Sequence, residues 1–354
     1  NDIELFAKHH ISVPIIGITG SNGKSTVTDM LGFIANKLGI KAGVGGNLGT
    51  CALDLLDDNN ELYILELSSF QLEWVSSLKL AVGTILNITP DHLDRYESFT
   101  EYAQTKGHIF SLSNTAVVNT ADKLVSALLP KNITQINYRA STPTANAFGL
   151  TTSNNQQYIS YGGHRLLNTN EIALQGAHQL LNILCVFSIV QHLNWPLDQV
   201  IAAVKTYPGL EHRCQLVASY KGVKYINDSK ATNVGATLAA IGSIGTHISG
   251  KIVLILGGQT KGGDLSVLID SIKQYVKATL LIGEDAELIE QQLGTSITSI
   301  HATSLEVAIS KASSIAQEGD IVLLSPACAS LDNFTSFAQR GEVFIQQVKQ
   351  MTDK

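Results

Sequence analysis

Seven residues, Gly20-Ser21-Asn22-Gly23-Lys24-Ser25-Thr26, constrain this chain more than any other stretch. A short apolar run, Val13-Pro14-Ile15-Ile16-Gly17-Ile18-Thr19, precedes them and reads as a buried strand. Val27, Met30, Leu31 and Ile34 follow at helical spacing. Strand, glycine turn and helix are the setting of a phosphate-binding loop. Glycine lets backbone N–H groups approach an anion with no Cβ in the way. The helix N-terminus adds unpaired donors and partial positive charge. In that setting Lys24 reaches the β- and γ-phosphates and the Ser25 hydroxyl holds Mg²⁺. The strict pattern has glycine where this chain has Ile18, so the competing reading is an ordinary glycine-rich turn.

Two later runs point to the same edge of the sheet. Leu62-Tyr63-Ile64-Leu65-Glu66 reads as a buried parallel strand with a carboxylate at its C-terminal end, where open α/β sheets bind ligands. A carboxylate there is costly unless paired or metal-bound. A strand over 82–89 runs into Pro90-Asp91-His92-Leu93-Asp94-Arg95, which carries His92 to the same edge. Glu66 and His92 beside a phosphate loop make Mg²⁺ ligation the better reading. The stretch 43–49 reads as a second glycine-rich turn, a plain loop or a close approach to a ligand with the Asn47 amide as donor. Lys106, on a helix over 99–112, reads from the residues as an ordinary surface lysine.

The pattern restarts after Tyr207-Pro208-Gly209, which places a domain boundary at 208/209: a central domain over 1–208 and a C-terminal domain over 209–354. In the second half a two-strand turn around Lys221-Gly222 leads into strands over 251–256, 278–282, 297–300 and 321–324, separated by helices. Alternation of this kind predicts a parallel, doubly wound sheet. The fold class is therefore α/β, a P-loop-type parallel sheet domain followed by a Rossmann-like one. Polar loops follow three strands: Asn227–Asn233, Gly257–Asp264 and Ser325–Asp332. Helix capping explains any one of them; together they line one crevice, where Lys230 and Lys261 suit an anionic substrate.

Composition excludes several classes. With 44% hydrophobic and 15% charged residues, 354 residues suit packed domains, and two of them. A net charge of -6 without a long basic run argues against nucleic acid as a partner. No apolar run reaches the ~20 residues of a membrane span. The four cysteines form no Cys-x-x-Cys pair, which fits a reducing cytoplasm.

Taken together, Thr19–Thr26, Glu66-Leu-Ser-Ser-Phe-Gln-Leu72, Asp91-His-Leu-Asp-Arg-Tyr96, Asn227–Asn233 and Ser325–Asp332 resemble the motifs of the Mur ligase family, in particular of its D-glutamate-adding members. Ile18 is ordinary for that family. The resemblance implies an ATP-dependent, ADP-forming amide ligase using two Mg²⁺ ions, with UDP-N-acetylmuramoyl-L-alanine and D-glutamate as substrates. It places Gly20, Ser21, Asn22, Gly23, Lys24, Ser25, Thr26, Asn182, Arg213 and Asp228 around ATP, with Gln179 where the family often has Asn. It gives Glu66 and His92 a second Mg²⁺, and makes Lys106 a carbamylated lysine near it. Asn47 and Ser68 would touch the muramoyl substrate. Lys230, Thr232, Lys261, Ser330, Leu331 and Phe337 would form the D-glutamate pocket, where Gln259 departs from a common Asp. A monomer is expected. The family's N-terminal UDP-binding domain has no counterpart here, so a truncated chain that ligates poorly is expected. Two other readings are a folylpolyglutamate synthase-like ligase and a nucleotide-binding module without ligase activity.

Overall fold

Alternate residues of each central strand enter opposite hydrophobic layers, and this decides the architecture. The computed structural model describes residues 1–9, 12–47, 49–91, 95–172, 174, 176–246 and 248–352. His92 lies outside the described residues. The chain divides into two compact units, Asn1–Gly209 and Leu210–Lys354.

In the first unit the strands are β1 (Ile15–Thr19), β2 (Ala42–Gly46), β3 (Leu62–Glu66), β4 (Leu80–Ile85), β5 (Ser113–Asn119), β6 (Thr134–Arg139), β7 (Phe148–Ser153), β8 (Gln156–Tyr161) and β9 (His164–Asn168). Their order is β2-β3-β1-β4-β5-β6-β7-β8-β9. Neighbours from β2 to β7 run parallel, and β7, β8 and β9 form antiparallel hairpins. The helices are α1 (Asp2–Lys8), α2 (Lys24–Lys37), α3 (Ser69–Leu72), α4 (Phe99–Ser111), α5 (Lys123–Ala127), α6 (Ala177–His192) and α7 (Leu197–Thr206). Ile16, Ile18, Leu62 and Ile64 pack in one layer with Val27, Met30, Leu31 and Ile34 of α2 and the apolar side of α6. Ile15, Tyr63 and Leu65 face the other way, toward Ile3 and Phe6 of α1 and Tyr102, Ile109 and Phe110 of α4. Period-two alternation inside wholly apolar runs is what a parallel sheet covered on both faces needs.

The second unit repeats the plan. Its strands are β10 (Gln215–Tyr220), β11 (Val223–Asn227), β12 (Ile252–Gly257), β13 (Val276–Ile282), β14 (Ser299–His301) and β15 (Ile321–Leu324), in the order β10-β11-β15-β12-β13-β14. Its helices are α8 (Val234–Gly245), α9 (Ile269–Tyr275), α10 (Ala286–Leu293), α11 (Leu305–Ile315) and α12 (Phe337–Thr352). Ile252, Leu254 and Leu256 pack beside residues of α8, α9 and α10. Val253 and Ile255 pack beside residues of α11 and α12.

The expected α/β architecture is present, with local differences. Residues 43–46 belong to strand β2, parallel to β3, rather than to a turn. Glycine there is steric: a Cβ at Gly45 would lie 2.3 Å from the Thr50 carbonyl oxygen. Strand β4 ends at Ile85, so Asn87 and Thr89 lie beyond it, in a segment that hydrogen-bonds the phosphate loop. The second sheet is not wholly parallel, because the Lys221-Gly222 turn, with φ of 51° and 76°, folds β10 back on β11.

Candidate active site

The phosphate loop connects β1 to α2 at the point where the sheet order reverses, with β3 on one side of β1 and β4 on the other. Ligands of open α/β sheets bind at this place. Gly23 caps α2 in the left-handed region, φ 87°, without a side-chain cap. No side chain at the cap position competes with an anion for the helix N-terminus. The loop is held from β4's side. Ser21 N donates to the Asn87 carbonyl at 2.9 Å. Asn22 and Asn87 exchange two hydrogen bonds, Asn22 N to Asn87 Oδ1 at 2.9 Å and Asn87 Nδ2 to Asn22 O at 3.0 Å. The Ser21 hydroxyl donates to the Thr89 carbonyl and lies 3.1 Å from the Tyr102 hydroxyl. Lys24 Nζ curls onto the loop, donating to Gly20 O at 2.8 Å and Ser21 O at 3.0 Å. Ser25 and Thr26 are buried in the first turn of α2.

Glu66 ends β3 opposite Ile18 of β1, and is buried. Its Oε1 accepts from Asn47 Nδ2 at 2.7 Å. Its Oε2 is buried with no hydrogen-bond partner among the described residues. A carboxylate oxygen left this way fits a cation. Asn47 thus holds Glu66, a contact that the sequence reading did not anticipate. Ser68 caps α3 through a capping box with Gln71.

Lys106 corrects the surface-lysine reading. It is 2% exposed, and its Nζ donates to Gly20 O at 3.1 Å and sits 4.8 Å above the Tyr102 ring. Burial first, then the charge of Lys24, hold its pKa down to about 7, against the pull of Asp91 and Glu66. A signal for this was present in the sequence. Tyr102, Ala103, Lys106, Ile109 and Phe110 form one helical stripe, and a lysine in an apolar stripe marks a buried amine. Asn182 and Gln179 are buried on α6, 3.3 Å apart, and a Cβ at Gly23 would lie 2.6 Å from Asn182 Oδ1. The expected adenine contact thus stands directly behind the loop. Among the described residues no group of three or more His, Cys, Asp and Glu is gathered for a metal.

In the second unit the three polar loops leave β11, β15 and β12, which are adjacent strands. Asp228 accepts from Cys214 N at 3.1 Å and from the Ser325 hydroxyl at 2.8 Å, and burial raises its pKa to about 6. Arg213 lies two residues before β10. Lys230 Nζ sits 4.6 Å over the Phe337 ring. Thr232 N donates to Lys230 O at 2.8 Å, Ser330 is buried, and Lys261 and Leu331 are exposed at the loop tips. Asn233 does cap α8, so capping and loop placement coexist. Sequence reasoning missed the partner of Asn227, whose Nδ2 donates to His212 Nδ1 at 2.9 Å, and it missed Arg340, buried on α12.

Residues 18–190 match the Mur ligase middle domain, and residues 212–328 match the family's glutamate ligase domain. The chain belongs to the Mur ligase family. A UDP-N-acetylmuramoylalanine--D-glutamate ligase of Pseudomonas savastanoi pv. phaseolicola is 44% identical over 98% of this chain and 78% of its own length. A protein of the same name from Alcanivorax borkumensis is 46% identical over 99% of this chain and 78% of its own length. The crystal structure of MurF ligase from Thermotoga maritima in complex with ADP shares the fold, with a TM-score of 0.75 at 18% identity, covering 99% of this chain and 84% of that one. The chain spans 78% of the length of the two D-glutamate ligase relatives. Among the described residues no helix is long and apolar enough to cross a membrane.

Proposed function

We propose that this Mur ligase joins D-glutamate to UDP-N-acetylmuramoyl-L-alanine at the expense of ATP in peptidoglycan precursor synthesis, as a cytoplasmic monomer. The observation that carries the reading is the cluster at Gly20. Two lysines share its carbonyl, and the pull of Glu66 on Lys106 puts a buried carboxylate within electrostatic reach. Phosphoryl transfer demands positioning and charge neutralisation more than covalent chemistry. The loop N–H groups and Lys24 bind and orient the triphosphate. In the first unit Asn182 is assigned to the nucleoside; in the second unit Arg213 and Asp228 are assigned to the nucleotide. The substrate carboxylate attacks the γ-phosphorus and ADP departs, leaving an acyl phosphate. The amine of D-glutamate then attacks the acyl carbon. A tetrahedral intermediate collapses, inorganic phosphate leaves, and the nitrogen loses a proton.

Ser25 would hold one Mg²⁺, and Glu66, His92 and Lys106 the other. Bound there, the ions would neutralise charge on the γ-phosphate and the acyl carboxylate. Glu66 Oε2 is the donor available for this. The neutral Lys106 amine adds CO₂ and releases a proton, which leaves a carbamate anion where an ordinary lysine carries a positive charge. Asn47 and Ser68 face the muramoyl substrate. Lys230, Thr232, Lys261, Ser330, Leu331 and Phe337 receive D-glutamate.

ADP release tests the assignment. We expect turnover with UDP-N-acetylmuramoyl-L-alanine plus D-glutamate, and none with a folate plus L-glutamate. Turnover only with the folate pair would favour the folylpolyglutamate synthase-like reading. Nucleotide binding without turnover in either pair would leave a binding module.

A further inference from the structure

Arg340 takes no part in the steps above, yet it is 1% exposed. Its guanidinium has five N–H donors, and five hydrogen bonds meet them. Nε donates to the Ser229 hydroxyl at 3.0 Å. Nη1 donates to Gly257 O at 3.3 Å and Ala329 O at 3.4 Å. Nη2 donates to Ser229 O at 2.9 Å and Cys328 O at 3.1 Å. These acceptors lie at the last residue of β12 and in the segments that follow β11 and β15. One planar group therefore ties together the three loops of the crevice. The loops also approach each other closely. Gln259 and Ala329 form an isolated β-bridge, and a Cβ on Gly258 would lie 1.9 Å from Ala329 O.

The expected amino-acid pocket is built on these clamped atoms. Lys230 follows Ser229, and Ser330 follows Ala329. The Ser229 hydroxyl also donates to Phe337 O at 2.7 Å. Among the described residues no carboxylate lies within ion-pair distance of Arg340, so its positive charge is met by neutral acceptors. Burial pulls its pKa down to about 10, which still leaves it charged near neutral pH. A buried cation against carbonyl groups is expensive unless each N–H is satisfied. A lysine ammonium, with three donors at one point, cannot span these acceptors.

We propose that Arg340 is a positioning residue for the amino-acid substrate: it locks Ser229, Gly257 and Cys328–Ala329 into one wall and thereby sets the KM for D-glutamate. The KM part rests on the reading that D-glutamate binds these loops; the clamp itself does not.

The test uses the full chain with Arg340→Lys and Arg340→Met. We expect the KM for D-glutamate to rise at least tenfold in both, with ATP affinity within twofold of wild type. Added methylguanidinium should recover part of the loss in Arg340→Met. Hydrogen–deuterium exchange should quicken in 229–233, 257–264 and 325–332 together. If Arg340→Met does not fold, Ser229→Ala, which removes the Nε acceptor, replaces it, with quicker exchange in the same segments and a smaller rise in KM. Unchanged KM in a folded variant, KM and ATP affinity worsening in step, or unchanged exchange would each overturn the proposal. Quickened exchange with a wild-type chain that does not turn over D-glutamate would instead refute the functional reading and leave the clamp standing.

Discussion

Lys24 and Lys106 share one acceptor: both ammonium groups donate to the Gly20 carbonyl, at 2.8 and 3.1 Å. Lys24 stands in the first turn of the loop's own helix, and Lys106 comes from α4, 86 residues away from Gly20 in sequence. Like charges gathered on one oxygen repel, and burial adds to that repulsion at Lys106, whose amine gives up its proton more readily than an ordinary lysine does.

This arrangement fixes the pH behaviour of Lys106. Its folded pKa, about 7, lies below its ordinary 10.5. Between those values the unfolded chain holds a proton that the folded chain does not, so stability rises with pH across that window. The penalty is fully present below pH 7 and gone near 10.5. In CO₂-depleted buffer, Lys106→Met should therefore melt higher than wild type at pH 6.5, by about 3 kcal/mol, with the gain shrinking toward pH 10. Ligation by Lys106→Met should be abolished, and short carboxylates should partly restore ligation by Lys106→Ala. A melting difference independent of pH would contradict this account.

Glu66 offers one carboxylate oxygen to Asn47 and leaves the other buried without a partner. Glu66→Gln keeps the Asn47 acceptor and removes the charge. We expect kcat to fall by a factor on the order of 10² to 10³ and the Mg²⁺ demand to rise, because a cation loses an anionic ligand. Without ligand the variant should be no less stable than wild type. Mg²⁺ titration of turnover, paired with melting curves, decides it; an unmoved Mg²⁺ curve would rule Glu66 out as a ligand.

Gly23 stands at φ 87°, and a Cβ there would come 2.6 Å from Asn182 Oδ1. Gly23→Ala adds backbone strain and pushes on a buried amide. The expected cost is ~1–3 kcal/mol of stability, with ATP affinity reduced at least tenfold. Calorimetric titration with ATP checks this, and wild-type affinity would show that the loop does not need its left-handed turn.

Asp228 is held protonated longer than an ordinary carboxyl, to about pH 6. Between pH 3.8 and 6 the folded chain binds the extra proton, so stability falls as pH rises through that window. The cost is complete above pH 6 and absent below 3.8. Asp228→Asn should stabilise the chain at pH 7.5 by on the order of 2 kcal/mol and by less at pH 4.5, while weakening ATP binding. Equal effects at both pH values would contradict the burial argument.

Much of this was legible from local pattern. The loop Gly20–Thr26 announces itself because glycine permits conformations that other residues avoid, and because apolar period changes from strand to helix across it. Glu66 stood out because a carboxylate ending an apolar run has few inexpensive places to be. The three polar loops were found in the same way, as interruptions after apolar strands. Read from the residues alone, Lys106 passed as a surface charge and only the family resemblance singled it out, while Arg340 went unremarked, although each lies on an apolar helical stripe. Arg340, Phe344 and Val348 repeat every four residues, and all three are buried.

The sequence by itself determined most of the strands and helices, and that polar groups gather at strand ends, because steric freedom and apolar periodicity act between near neighbours in the chain. Only the tertiary structure decided that Lys106 lies beside Lys24, that Asn47 holds Glu66, and that one guanidinium joins three loops. Those contacts span from 11 to 111 residues. They are selected by desolvation, since a buried charge must find its partners in whatever part of the fold packs against it.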